Sequence, residues 1–307
     1  MAGVLEGFAT IIAVIALGGL LAQIGVVDDA ARVLLSRLSF FVASPALMVT
    51  VLGGADVGDV LSKNLAASAA GVVASAVLYV VAARLVWRRD LADTMIGTLC
   101  ASYVNAGNLG LPVAAYVLGD ASLVAPTLLM QMLVLQPVAL AVLDHATSDL
   151  RFSIGRALTG PLRNPLTVGS ILGLVLAITG LRLPTAIHDP LELVGGMAVP
   201  SMLIAYGISL RLGPRPGQGT SVGEVAAITA LKLVVQPVTA YVVARFVLGL
   251  GETGLLAVTV LSALPTAQNI FVHATRYGRA EVLARDSIFL TTVLSVPTVV
   301  LIAAVVS

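Results

Sequence analysis

Ten stretches of mostly apolar residues recur along this chain, at 7–27, 38–55, 65–83, 94–119, 121–143, 164–181, 193–210, 225–244, 253–275 and 287–307. Each is close to the roughly 20 residues a helix needs to cross a bilayer. Lys232 is the one Asp, Glu, Lys or Arg inside them. Charged residues make up 11% of the 307, against about 25% in a soluble domain, too few to clothe a soluble surface. Period-two alternation of polar and apolar residues, the mark of an outer-membrane barrel, is missing. The reading is an all-α polytopic membrane protein with ten transmembrane helices. No basic residue precedes the first stretch, so it is expected to stay as a span rather than be cleaved as a signal peptide. A net charge of +1 with no dense basic cluster gives no reason to expect nucleic acid. The single Cys100 excludes an intramolecular disulfide or a thiolate metal cluster.

Basic residues set the orientation, because cytoplasmic loops collect them. With the N-terminus outside, the inward connections hold 13 of the 17 Lys and Arg residues, and the outward side holds Lys63, Arg182 and Arg245. Both termini are therefore expected to be extracytoplasmic, in a cell (plasma or inner) membrane. The connection 144–163, with Asp149, Arg151, Arg156 and Arg163, is expected to be cytoplasmic.

The halves on either side of that connection, 1–143 and 164–307, resemble each other. Ala22–Gly25 (AQIG) matches Ala177–Gly180 (AITG), and Pro45 matches Pro200, both at a shift of 155. Tyr79–Ala82 (YVVA) recurs as Tyr241–Ala244 at 162, and Pro137 matches Pro297 at 160. Five spans per half force the second to enter the membrane from the opposite face. Inverted repeats of this kind characterise secondary transporters, with the solute near the midplane.

The fourth and ninth stretches are poor plain helices. The fourth crowds Asn105, Gly107, Asn108, Gly110 and Pro112 together, and the ninth holds Pro265, Thr266, Gln268, Asn269 and His273. At a shift of 160, Ser102 falls on Ser262 and Asn108 on Gln268. Proline frees a carbonyl, and irregular backbone survives at membrane depth only where protein or a cavity satisfies it. Both helices are expected to break and pass each other, presenting half-helix N-termini that suit an anion.

At these residues the chain resembles the auxin efflux carrier family, which includes plant PIN auxin exporters and bacterial malonate-type carriers. The motifs are NLGLPVAAYVLGD (108–120) and LPTAQNIFVHATRYG (264–278), supported by LRNPLTVGSILGLVL (162–176), AVPSMLIAYGISL (198–210) and LKLVVQPVTA (231–240). The resemblance implies two inverted five-helix repeats of the sodium/proton antiporter and bile-acid transporter type, with helices 4 and 9 crossing at Pro112 and Pro265 and Asn108 as the amide at the crossing. It also implies a scaffold of helices 1, 2, 6 and 7, a transport part of helices 3–5 and 8–10, elevator-like motion, and a homodimer. The plant exporters' long cytosolic loop is here only about 20 residues, so their phosphorylation-based regulation does not carry over.

Lys232 is either an anion-attracting group or a lysine snorkelling to the interface. Gln236 lies one turn on; Gln136 in helix five and Gln23 in helix one are either site residues or helix–helix glue. Histidine is the side chain whose ordinary pKa lies nearest neutrality, so His273 is expected to serve either proton coupling or a plain hydrogen bond. No Asp or Glu lies deep in a stretch, which argues against carboxylate-coupled cation antiport. The candidate solute site is thus Asn105, Asn108, Pro112, Gln136, Lys232, Gln236, Pro265, Gln268 and Asn269, with His273 for proton coupling and no metal or cofactor. The expected function is secondary transport of a small organic anion, potential-driven or proton-coupled. A channel or a substrate-sensing receptor on the same fold is the alternative. An intramembrane enzyme is disfavoured: Asp56 and Asp59 lie outside the stretches, and Ser262 and His273 would stand about 16 Å apart on a continuous helix.

Overall fold

A computed structural model describes residues 2–54, 63–110, 113–114, 118–147, 165–213 and 221–306. Among these the regular structure is helical, apart from one antiparallel bridge between Val104 and Thr266. The helices are α1 (Ala2–Gln23), α2 (Asp29–Gly53), α3 (Lys63–Leu85), α4 (Leu91–Ser102), α5 (125–147), α6 (Pro165–Thr179), α7 (Thr185–Leu212), α8 (Val222–Val247), α9 (Glu252–Ser262), α10 (Asn269–Tyr277) and α11 (Glu281–Val306). Of these, α2, α3, α7, α8 and α11 are individually long and apolar enough to cross a bilayer. The chain is a multi-pass membrane protein.

Several helices start earlier than charge content suggests, α2 and α7 by the most. α2 begins at Asp29 because Asp28 caps it, accepting from the Ala31 amide at 2.9 Å. α7 begins at Thr185 and carries His188, Asp189 and Glu192 in its opening turns. A helix end is set by caps and turn chemistry, so both helices run on past the charges. α1 and α6 end on glycines at left-handed φ, Gly25 (+76°) and Gly180 (+67°). After Gly25, the Val26 amide reaches back to the Leu21 carbonyl (3.0 Å), closing the last turn as a Schellman cap.

The helices fall into two groups. In the first, α1 packs on α7 and α6 on α2, with α2 and α7 joining the pairs. Both pairings rest on glycine. A Cβ at Gly207 would overlap the Ile15 carbonyl, and one at Gly18 the Ile204 carbonyl. On the other pair, a Cβ at Gly173 would stand 2.7 Å from the Met48 oxygen. Small residues let membrane helices touch backbone to backbone, where dispersion and close fit drive association. Gly207→Val is therefore expected to cost about 1–3 kcal/mol through overpacking, read as a lowered melting temperature of the detergent-solubilised protein. An unchanged melting temperature would refute this packing.

The second group is α3–α5 with α8–α11. Met48, Leu52 and Leu203 of the first group share one apolar cluster with Leu109, Leu128 and Val299 of the second. The boundary between the groups is mainly apolar.

Candidate functional site

α4 stops at Ser102 and α9 at Ser262. Tyr103 then leaves the helix in an extended conformation (φ −88°, ψ 109°). Tyr103–Asn105 pairs antiparallel with Pro265–Ala267: the Asn105 amide donates to the Pro265 carbonyl (2.8 Å) and the Ala267 amide to the Tyr103 carbonyl (3.1 Å). The two interrupted segments therefore cross at Val104 and Thr266. Asn105 is buried at the crossing itself. The residues after it form a wide turn, 106–110, in which the Gly110 amide reaches the Asn105 carbonyl. The crossing thus comes before Asn108, because the partner strand is positioned by the break at Pro265. The Asn108 side chain and Pro112 lie outside what the structure describes.

Side chains from three further helices satisfy the crossing's backbone. Thr266 Oγ1 donates to the Cys100 carbonyl (2.6 Å), and the Thr266 amide donates to Thr291 Oγ1 on α11 (3.2 Å). Gln131 Nε2 on α5 donates to the Val104 carbonyl (2.9 Å). On α8, Lys232 Nζ donates to the carbonyl of Ser262 (3.1 Å) and to Gln236 Oε1 (2.8 Å), while Gln236 Nε2 donates to the Ser102 carbonyl (3.2 Å). Lys232 does not snorkel: it is wholly buried. It sits where the C-terminal ends of α4 and α9 converge, each carrying roughly half a negative charge. Together they offset one ammonium that would otherwise cost several kcal/mol to bury.

The local sequence explains this placement. Gln-Pro-Val occurs at 136–138 in α5 and again at 236–238 in α8. Proline has no N–H to continue the ladder, and each helix widens into a π-turn just before it, at Gln131–Leu135 and Leu231–Val235. Such bulges frequently occur at functional sites. Here they carry Gln131 and Lys232 to the crossing. Gln136 is buried and accepts from the Tyr103 hydroxyl at 3.4 Å. Sequence reasoning missed Gln131, although its position just upstream of the repeated Gln-Pro-Val was a usable signal; Thr291 carried no comparable signal.

Gln268 and Asn269, half-buried, open α10, so a helix N-terminus leaves the crossing. The side-chain oxygen of Asn269 is buried without a donor from the described residues. His273, one turn on, is buried within α10. Gln23 ends α1, on the other group of helices.

Among the described residues two carboxylates are buried, each just before an apolar stretch rather than deep within one. Glu224, in the first turn of α8, is fully buried; it accepts from the Tyr79 hydroxyl (2.8 Å) and from Arg89 Nε (3.2 Å to each oxygen). These bonds hold the Arg89 guanidinium above its ordinary pKa. Asp286, buried near the start of α11, pairs with Arg285 at 2.7 Å. Arg279–Asp90 (2.9 Å) and Tyr277–Asp144 (2.7 Å) join further ends of second-group helices. These contacts bind that group to itself.

Residues 4–148 and 143–303 match the profile of a family described as membrane transport protein. The chain is 24% identical over 274 residues to a Rhizobium meliloti (strain 1021) protein provisionally named a malonate transporter, covering 86% of this chain and 84% of that one. It is 27% identical over 302 residues to an uncharacterized transporter of Methanothermobacter thermautotrophicus, covering 95% of each.

Proposed function

The chain belongs to the auxin efflux carrier family of membrane transport proteins, and from that premise we propose that it carries a small organic anion by elevator-like alternating access. The observation that carries this reading is the crossing of Tyr103–Asn105 with Pro265–Ala267, its helix C-termini neutralised by one buried lysine. With the negative ends compensated by Lys232, the N-terminus of α10 beside Gln268 and Asn269 is left to attract a carboxylate. Asn105, Gln136 and Gln236 line or support the same place, Asn108 is kept as a candidate from the sequence, and His273 stands one turn away for a proton-coupled variant. The name of the Rhizobium meliloti relative makes short dicarboxylates such as malonate the first class to test.

Ten spans in two inverted repeats fit the geometry. The helix ends at Ser102 and Ser262 fall at the shift of 160, and the left-handed Gly25 and Gly180 at 155. The α1–α7 and α6–α2 pairings are the exchange that an inverted repeat generates. The first group serves as scaffold and the second as the moving body, internally ion-paired and sliding on an apolar boundary. Both termini lie outside the cell membrane, and the carrier works as a homodimer.

Saturable counterflow of labelled malonate, succinate or benzoate in proteoliposomes tests the reading. Linear, non-exchanging flux would indicate a channel, and ligand binding without flux a receptor. Because a tethered ammonium already occupies the point where the helix ends meet, transport is expected to need no sodium. Initial rates in choline and sodium media should agree within about twofold, under the 1.4 kcal/mol that a tenfold change represents; loss of transport in choline would contradict this.

A further inference from the structure

Tyr206 lies in α7, a helix that packs both within the first group and against the turn 106–110 that follows the crossing. It is 8% exposed, and its hydroxyl, shut off from solvent, has no partner in hydrogen-bond geometry. The hydroxyl lies against Thr292 of α11, whose own proton goes to the Ile288 carbonyl at 2.7 Å. The residue before Thr292 is Thr291, which holds the Thr266 amide at the crossing (3.2 Å). Tyr206 therefore turns its hydroxyl to α11 of the second group, at the residue next to the side chain that holds the crossing. Burying a hydroxyl without a partner is costly, and phenylalanine would fill the same space without that cost.

We propose that Tyr206 is the first group's hydrogen-bond donor to the transported anion. This deepens the carrier reading and rests on it. The phenol O–H donates to a carboxylate oxygen while the α10 N-terminus receives the rest of the solute. Because Tyr206 belongs to the group that stays and the crossing to the group that moves, the bond is made only while the crossing stands at the height of Tyr206. Tyr206 thereby distinguishes one end of the transport cycle from the other, as well as acid from neutral solute.

The test is equilibrium binding of labelled malonate, succinate and benzoate, as potassium salts, to the purified full-length protein and its Tyr206→Phe and Thr292→Val variants. Tyr206→Phe is expected to weaken binding of the preferred acid about tenfold or more, the range for a bond to a charged acceptor. The ligand-free melting temperature should be unchanged or higher, and Thr292→Val should stay within about twofold of the parent. Unchanged affinity in Tyr206→Phe would overturn the proposal. So would a parallel fall in ligand-free stability, or an equal loss in Thr292→Val, since either marks a helix–helix contact. If the parent protein binds none of the acids, the anion reading itself fails and takes this proposal with it; binding by the parent with an indifferent Tyr206→Phe sinks this proposal alone.

Discussion

Lys232→Met is expected to abolish transport and to lower the melting temperature, although methionine keeps the length and apolar character of the stem. The buried carbonyl of Ser262 loses its side-chain donor, at a cost of about 1–3 kcal/mol for an unsatisfied group. More consequentially, the C-terminal ends of α4 and α9 then face each other with nothing between them to balance roughly half a negative charge apiece. That field would oppose an anion at the crossing. Lys232→Arg should retain part of the activity, since the charge survives, but the site is fully closed and a guanidinium must be fitted where an ammonium stood. Uptake into proteoliposomes together with thermal unfolding reads both effects. Transport at the parental rate in Lys232→Met would show that the helix ends do not depend on this cation.

The second large effect is expected from Gln236→Glu, a change that preserves shape. The Lys232 ammonium keeps an acceptor, now charged, so the pair becomes a buried salt bridge and the lysine no longer serves the helix ends. The Ser102 carbonyl loses the Gln236 Nε2 donor at 3.2 Å and confronts a second oxygen instead. Bonds to charged groups are worth about 1.5–3 kcal/mol, so transport is expected to fall by roughly ten- to 150-fold. Gln236→Leu should lose activity too, through the absent donor to Ser102 and the absent acceptor for Lys232. Because Glu adds repulsion where Leu adds none, Glu should be the worse of the two. The reverse order, measured as initial rates at equal protein density, would mean that Lys232 acts on the solute directly rather than through the helix ends.

Much of this architecture could be read from residue order. The apolar stretches announced an all-helical membrane chain, the repeat match of AQIG with AITG falls at two helix ends that both close on a left-handed glycine, and Pro265 marked the break in the ninth. What could not be read is instructive. Pro112 and Asn108 are the conspicuous residues of the fourth stretch, yet the helix leaves its path at Tyr103, an ordinary residue in a β-compatible run. The break there answers to pairing with the partner strand, a nonlocal cause with no local signature. Gln131 sits in an apolar run, and one-dimensional reasoning treats such an amide as glue between helices. Only the π-turn ahead of Pro137 aims it at the Val104 carbonyl. Glu224, one residue before the eighth stretch, carries no local sign that it is buried; the expense of burying a carboxylate is met by Arg89 and Tyr79, which lie 135 and 145 residues away in sequence.

A crosslink measures the crossing most directly. Val104 and Thr266 form the pair whose neighbours exchange the backbone bonds; such directly opposed residues stand about 4.5 Å apart at Cα, within the span of a disulfide. In a Cys100→Ala background, which removes the native cysteine, the double substitution Val104→Cys and Thr266→Cys should oxidise nearly completely in membranes. With a protease site placed between residues 147 and 165, the two halves should then migrate as one band until reductant is added. Halves that separate without reductant, from protein that is expressed and inserted normally, would contradict the crossing and the solute site built on it.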